Sequence, residues 1–136
     1  MYRILLAADE NEKRTEAQTR AVRRLSENNT TLAVTLIHVF NAESGNRFTE
    51  NAPLREQLPR NVAALQMQLD KMGYETDVVI ETSNNTGNAL IQTAGEIGAD
   101  CIIVGGRKRS PVGKALFGSV TQHTILNADI PVMIAQ

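Results

Sequence analysis

The residues with the most chemical potential lie in one stretch, IIVGGRKRSPVGKALFGSV, from Ile102 to Val120. Cys101 to Val104 is an apolar run that reads as a fully buried strand and ends abruptly at Gly105-Gly106. Four cations follow within eight residues, Arg107, Lys108, Arg109 and Lys114, with Pro111 and Gly113 among them. Gly118-Ser119 closes the stretch, and Ser119 is placed to cap a helix running through Val120, Ile125 and Leu126. A strand, a basic glycine-containing loop and a helix N-terminus together suit a phosphate. Backbone N–H groups point at the anion, glycine allows close approach, and the helix dipole favours negative charge.

The rest of the chain must position that loop. One domain is expected from 136 residues, and 42% hydrophobic residues suffice for one core. With 14 basic and 15 acidic residues the formal net charge is −1, which argues against non-specific binding to nucleic acid or to an anionic membrane. The basic cluster is therefore local and suits a small anion. Cys101 is the lone cysteine, so no intramolecular disulfide forms, and its apolar setting fits a buried hydrophobe better than a redox thiol. No apolar stretch approaches the ~20 residues of a membrane span. No signal sequence opens the chain, and a cytoplasmic protein is expected.

Ile4 to Ala8 reads as a central strand ending at Asp9. Asn11 to Asn28 carries Ala17, Ala21, Val22 and Leu25 at helical spacing. Leu32 to Phe40 is a strand, and Asn41 to Ala52 a long polar loop without period. Leu54 to Met72 has helical spacing, with Pro59 in its first turns, at or near which the regular helix begins, and Gly73 as its stop. Tyr74 to Thr82 is a strand, Thr86 to Ile97 a helix closed by Gly98, and Cys101 to Val104 the fourth strand. Ser119 to Asn127 is a short helix, and Val132 to Ala135 a last strand after Pro131.

Five strands alternating with four helices predict the α/β class: a doubly wound, five-stranded parallel sheet with helices on both faces. In such sheets ligands sit beyond the carboxyl ends of the strands where the sheet order reverses. The segment Ala7-Ala8-Asp9 after the first strand and the loop from Gly105 after the fourth should flank that switch point.

These residues resemble the universal stress proteins over essentially the whole chain. The resemblance rests on Ala8-Asp9, on His38-Val39, and on the run from Ala99 to Gly105. It rests also on Gly118-Ser119-Val120 and on Ile130-Pro131-Val132. In ATP-binding members the loop reads Gly, two residues, Gly, nine residues, then Gly-Ser or Gly-Thr; the spacing from Gly105 to Gly118-Ser119 matches. One position departs, because Lys108 stands where the second glycine belongs. If that backbone must take a positive φ, or approach the phosphate closely, lysine is strained and obstructive there. The alternative is compensation, with Gly106 supplying the freedom earlier and Lys108, Arg107 and Arg109 reaching a phosphate as point charges.

The resemblance implies an adenine nucleotide alpha hydrolase-like fold and ATP, or a related adenine nucleotide, as ligand. It puts Asp9 near the ribose or the phosphate-bound metal, Ala8 at the same strand end, and Val39 and Val104 beside adenine. Gly105, Gly118, Ser119 and Val120 would contact the phosphates. Mg²⁺ would arrive with the nucleotide, held by Asp9 and water, since no cluster of ligands at metal-binding spacing is present. The resemblance also implies a homodimer through the closing strand, with Val132, Met133 and Ile134 at the seam.

Plainer readings stand beside these. Asp9 can cap the following helix, Arg107 to Arg109 can be a solvated loop, and His38 and His123 read as ordinary packing or surface residues. Three function classes follow: a nucleotide-binding regulatory protein, a nucleotide-free dimeric module in which Lys108 blocks the pocket, and a slow ATPase. The first is preferred. The chain has no Walker motif, no paired carboxylates near the loop and no Ser-His-Asp order, and Ala7-Ala8-Asp9-Glu10 lacks the glycines of a dinucleotide fold.

Overall fold

The computed structural model describes residues 1–8, 12–27, 31–41, 57–106 and 117–136. Among these, five strands alternate with four helices: β1 (Tyr2–Ala7), α1 (Glu12–Ser26), β2 (Leu32–Asn41), α2 (Arg60–Lys71), β3 (Glu75–Ser83), α3 (Thr86–Ile97), β4 (Cys101–Gly105), α4 (Ser119–Asn127) and β5 (Val132–Ala135). The strands form one parallel sheet in the order β3-β2-β1-β4-β5. Its sequence order reverses between β1 and β4, as expected of a doubly wound sheet.

The period-2 geometry of a strand sorts each apolar run onto two faces. Ile4, Leu6, Val34, Leu36, Cys101 and Ile103 pack under α1 and α2, against Ala17, Val22, Val62, Leu65 and Leu69. Leu5, Ile37, Ile102 and Val104 pack under α3 and α4, against Leu90 and Ala94. Ile4, Leu5 and Leu6 are all fully buried, which is why the central strand is an unbroken apolar run. Each such side chain contributes about 1.5–3 kcal/mol.

Helix boundaries follow local chemistry. Pro59 takes the N-cap position of α2 with φ −53°, so this helix starts at Arg60, at the proline as expected; residues 54–56 lie outside the described residues. Asn85 caps α3, its side chain accepting from the Asn88 N–H at 3.0 Å, and Gly98 ends that helix at φ 67°. Ser119 is not a cap. The N-cap of α4 is Gly118, which has no side chain to offer, and Ser119 is the first helical residue. The expected loop from Asn41 to Ala52 lies, apart from Asn41, outside the described residues.

Candidate functional site

The two ladders of β1 end at different points. Toward β2 the register runs to Ala7↔Ile37, and the Ala8 N–H donates to the Ile37 carbonyl at 3.2 Å. Toward β4 it stops at Leu6↔Ile103. Past Leu6, then, β1 and β4 part, and a cavity of about 580 Å³ lies beyond their ends. That volume falls in the range of small-molecule sites, ~300–1,000 Å³.

Small residues keep the floor of the cavity open: Ala7 and Ala8 at the end of β1, Gly105 at the end of β4. Apolar walls come from Ile37 and Val39 of β2, Leu90 of α3, Val104 of β4 and Val120 of α4. The polar groups are Arg14 of α1, His38 of β2, Thr86 of α3 and Thr121 of α4. Arg14 is the cation among the described lining residues. A lining that mixes apolar side chains with polar groups and a cation suits a ligand that has an apolar part and a charged part.

Hydrogen bonds hold the walls in place. Thr121 Oγ1 donates to the Gly105 carbonyl at 3.1 Å, fixing the first turn of α4 to the end of β4. The Gln18 side chain, fully buried, donates from Nε2 to the Ala7 carbonyl at 2.6 Å, so α1 is fixed to the end of β1. On the α3–α4 seam His123 Nε2 meets Asn88 Oδ1 at 2.6 Å; an amide oxygen only accepts, so the ring nitrogen donates.

Of the residues singled out in the sequence, Ala8, Val39, Val104, Gly105 and Val120 line this cavity. Gly118 and Ser119 stand at the N-terminus of α4, with Ser119 exposed. Asp9, Arg107, Lys108 and Arg109 lie outside the described residues. Gly106 does not supply a positive φ, since Gly73 and Gly98 alone do so among the described residues. Its missing side chain makes room instead: a Cβ there would stand 2.6 Å from Gln136 Cγ and 3.0 Å from Ile134 Cγ2. His38 packs as expected. It is buried, sets its ring edge-on to Phe40 at 4.7 Å, and lines the cavity.

Arg14, Ile37, Thr86, Leu90 and Thr121 were not anticipated as lining residues. Thr86 and Leu90 lie one turn apart on α3, and Arg14 falls on a polar helix; neither position has a spacing that marks a ligand. No group of three or more His, Cys, Asp or Glu able to hold a metal occurs among the described residues. No described helix is long and apolar enough to cross a membrane.

Residues 1–136 match the family model described as the universal stress protein family. The chain is 26% identical to a universal stress protein from Archaeoglobus fulgidus, covering 100% of this chain and 99% of that one with a TM-score of 0.75. The structure of the universal stress protein from Archaeoglobus fulgidus in complex with dAMP is 22% identical over 100% of this chain and 98% of that one, with a TM-score of 0.69. The stress response protein NhaX of Bacillus subtilis is 31% identical over 75 residues, which are 55% of this chain and 45% of that protein. The match thus spans under half the length of that curated relative.

Proposed function

The chain belongs to the universal stress protein family, and on that premise we propose that it binds an adenine nucleotide, ATP with Mg²⁺, in the cavity at the switch point. In this reading it is a small cytoplasmic regulatory protein and not an enzyme. One observation carries the proposal: past Leu6, β1 leaves β4, and an open cavity of about 580 Å³ lies there, lined by apolar side chains and by polar ones that include Arg14. The related Archaeoglobus fulgidus protein in complex with dAMP supports an adenine nucleotide as occupant.

Val39 and Val104 would pack on adenine, and Ala8 and Gly105 leave room for the sugar. Asp9 would meet the ribose or the phosphate-bound Mg²⁺. Gly118, Ser119 and Val120 would offer their N–H groups and a hydroxyl to the phosphates, aided by Arg107 and Lys108. Mg²⁺ neutralises phosphate charge and needs few protein ligands. Ligand closure would be passed on through a homodimer built on β5, where Val132, Met133 and Ile134 are half-buried on a strand that pairs with β4.

Lys108 in place of the family's glycine favours a second reading, a nucleotide-free module acting through its surfaces. Calorimetric titration of ATP with Mg²⁺ into the native chain and into Lys108→Gly separates the two. Micromolar binding by the native chain supports the proposal. Binding by Lys108→Gly alone supports the second reading, and binding by neither refutes a nucleotide site.

A further inference from the structure

Resting on that reading, we infer that Arg14 is the residue by which the cavity senses charge. It is a phosphate-binding side chain supplied by α1, and it makes the site select phosphorylated adenosine over the bare nucleoside. The N-terminus of α4 belongs to the β4 side of the crevice, where the Thr121 hydroxyl donates to the Gly105 carbonyl. Arg14 comes from the other side, because α1 packs on the opposite sheet face from α4.

Several observations converge on this residue. Arg14 lines the cavity together with Ala7 and Ala8 at the end of β1, Gly105 at the end of β4, and Val120 of α4. Its Nε is out of contact with water, so the side chain is packed and has little freedom left to lose when it meets a ligand. Four residues on, and so on the same helix face, Gln18 is fully buried and holds the Ala7 carbonyl at 2.6 Å. This bond sets α1, and Arg14 with it, at a fixed position relative to the end of β1.

Charge strengthens the case. Arg14 sits in the first turn of α1, which begins at Glu12, and there a cation opposes the helix dipole. A phosphate beside it would interact favourably with both the guanidinium and the helix terminus. Other polar lining groups, Thr86, Thr121 and His38, suffice for a base and a sugar, neither of which calls for a fixed cation. A planar guanidinium matches phosphate oxygens with two parallel hydrogen bonds.

The test compares ATP with adenosine, titrated by competition against a fluorescent adenosine analogue, for the full native chain, Arg14→Gln and Arg14→Lys. Arg14→Gln should weaken ATP about tenfold to a hundredfold and change adenosine by less than about twofold. Arg14→Lys should recover part of the ATP affinity, because charge survives while the fork geometry does not. Equal losses for ATP and adenosine would make Arg14 a stacking or structural residue and overturn the inference, as would unchanged ATP affinity. If circular dichroism shows Arg14→Gln unfolded, Arg14→Met, which keeps the packed stem, takes its place with the same expected split. A native chain that binds neither ligand refutes the nucleotide reading itself. A native chain that binds both, with an unaltered ratio in the variants, leaves that reading standing and removes only the role of Arg14.

Discussion

His123 lies directly on Gly87: a Cβ added to that glycine would stand 2.5 Å from His123 Cδ2 and 3.0 Å from its Cβ. The imidazole of α4 therefore uses the missing side chain of α3, and the same ring bonds to Asn88 at 2.6 Å. Thr86 and Val120, each close in sequence to this seam, line the cavity from the two helices. The spacing of α3 and α4 thus bears on the width of the site.

Gly87→Ala should force the helices apart. Overpacking costs about 1–3 kcal/mol, more than the ~0.5–1 kcal/mol that alanine gains over glycine in a helix. Chemical denaturation should show a net loss, and the Gly87→Ala/His123→Ala double variant should be less destabilised than the sum of the singles. Strict additivity would mean that the ring and the glycine are not in contact in solution.

Thr121→Val removes the hydroxyl that holds Gly105 but keeps the volume. A single intramolecular hydrogen bond is worth about 0.5–1.5 kcal/mol, so the melting temperature should fall by about 2–8 °C. Nucleotide affinity should drop several-fold, because the first turn of α4 is no longer fixed to β4. An unchanged melting temperature would show that Gly105 finds another partner.

Stability should decline at high pH through Cys101. Burial pushes this thiol up from its usual range, and the nearby Asp100 charge adds to it; the hydrogen bond from Tyr2 works in the opposite sense without reversing the shift. Tyr2 is raised as well, first by burial and then by Cys101. Above about pH 8.5 an unfolded thiol releases its proton while the native one retains it. The contribution is present in full below that pH and is lost as pH rises through the raised native value. Cys101→Ala should flatten the fall in unfolding free energy between about pH 8 and 10. The same steepness in that variant would assign the effect to other groups.

If β5 forms the dimer seam, Met133→Glu should convert a dimer to a monomer in analytical ultracentrifugation. Burying an unpaired carboxylate at a two-fold interface is repeated in both copies, so its cost doubles. A native chain that sediments as a monomer would remove the dimer from the proposal.

The element order was legible because most strands are apolar runs and the longer helices carry a 3.6-residue stripe; β3 holds Val78-Val79-Ile80 between polar residues, and the short α4 leaves Ile125 and Leu126 exposed. Val62, Leu65 and Leu69 of α2 are all buried as their spacing demanded. The floor of the cavity was legible too, since Ala8 and Gly105 are strand ends marked by small residues. Its side walls were not. Arg14, Thr86 and Thr121 meet because crossovers bring three helices to one sheet end, and no local spacing encodes that meeting. Ser119 was misread as a cap because its type favours the position, while the backbone turns one residue earlier, at Gly118, with φ −69° and ψ 166°.

The most direct measurement is an NMR titration of the isotopically labelled native chain with ATP and Mg²⁺. The account predicts saturable shifts of the amides of Ala8, Val39, Val104, Gly105 and Val120, which line one cavity from the residue after β1, two strands and a helix. Shifts confined to the separate hollow between Leu58 and the Met67 and Asp70 of α2, or no shifts at millimolar nucleotide, would contradict it.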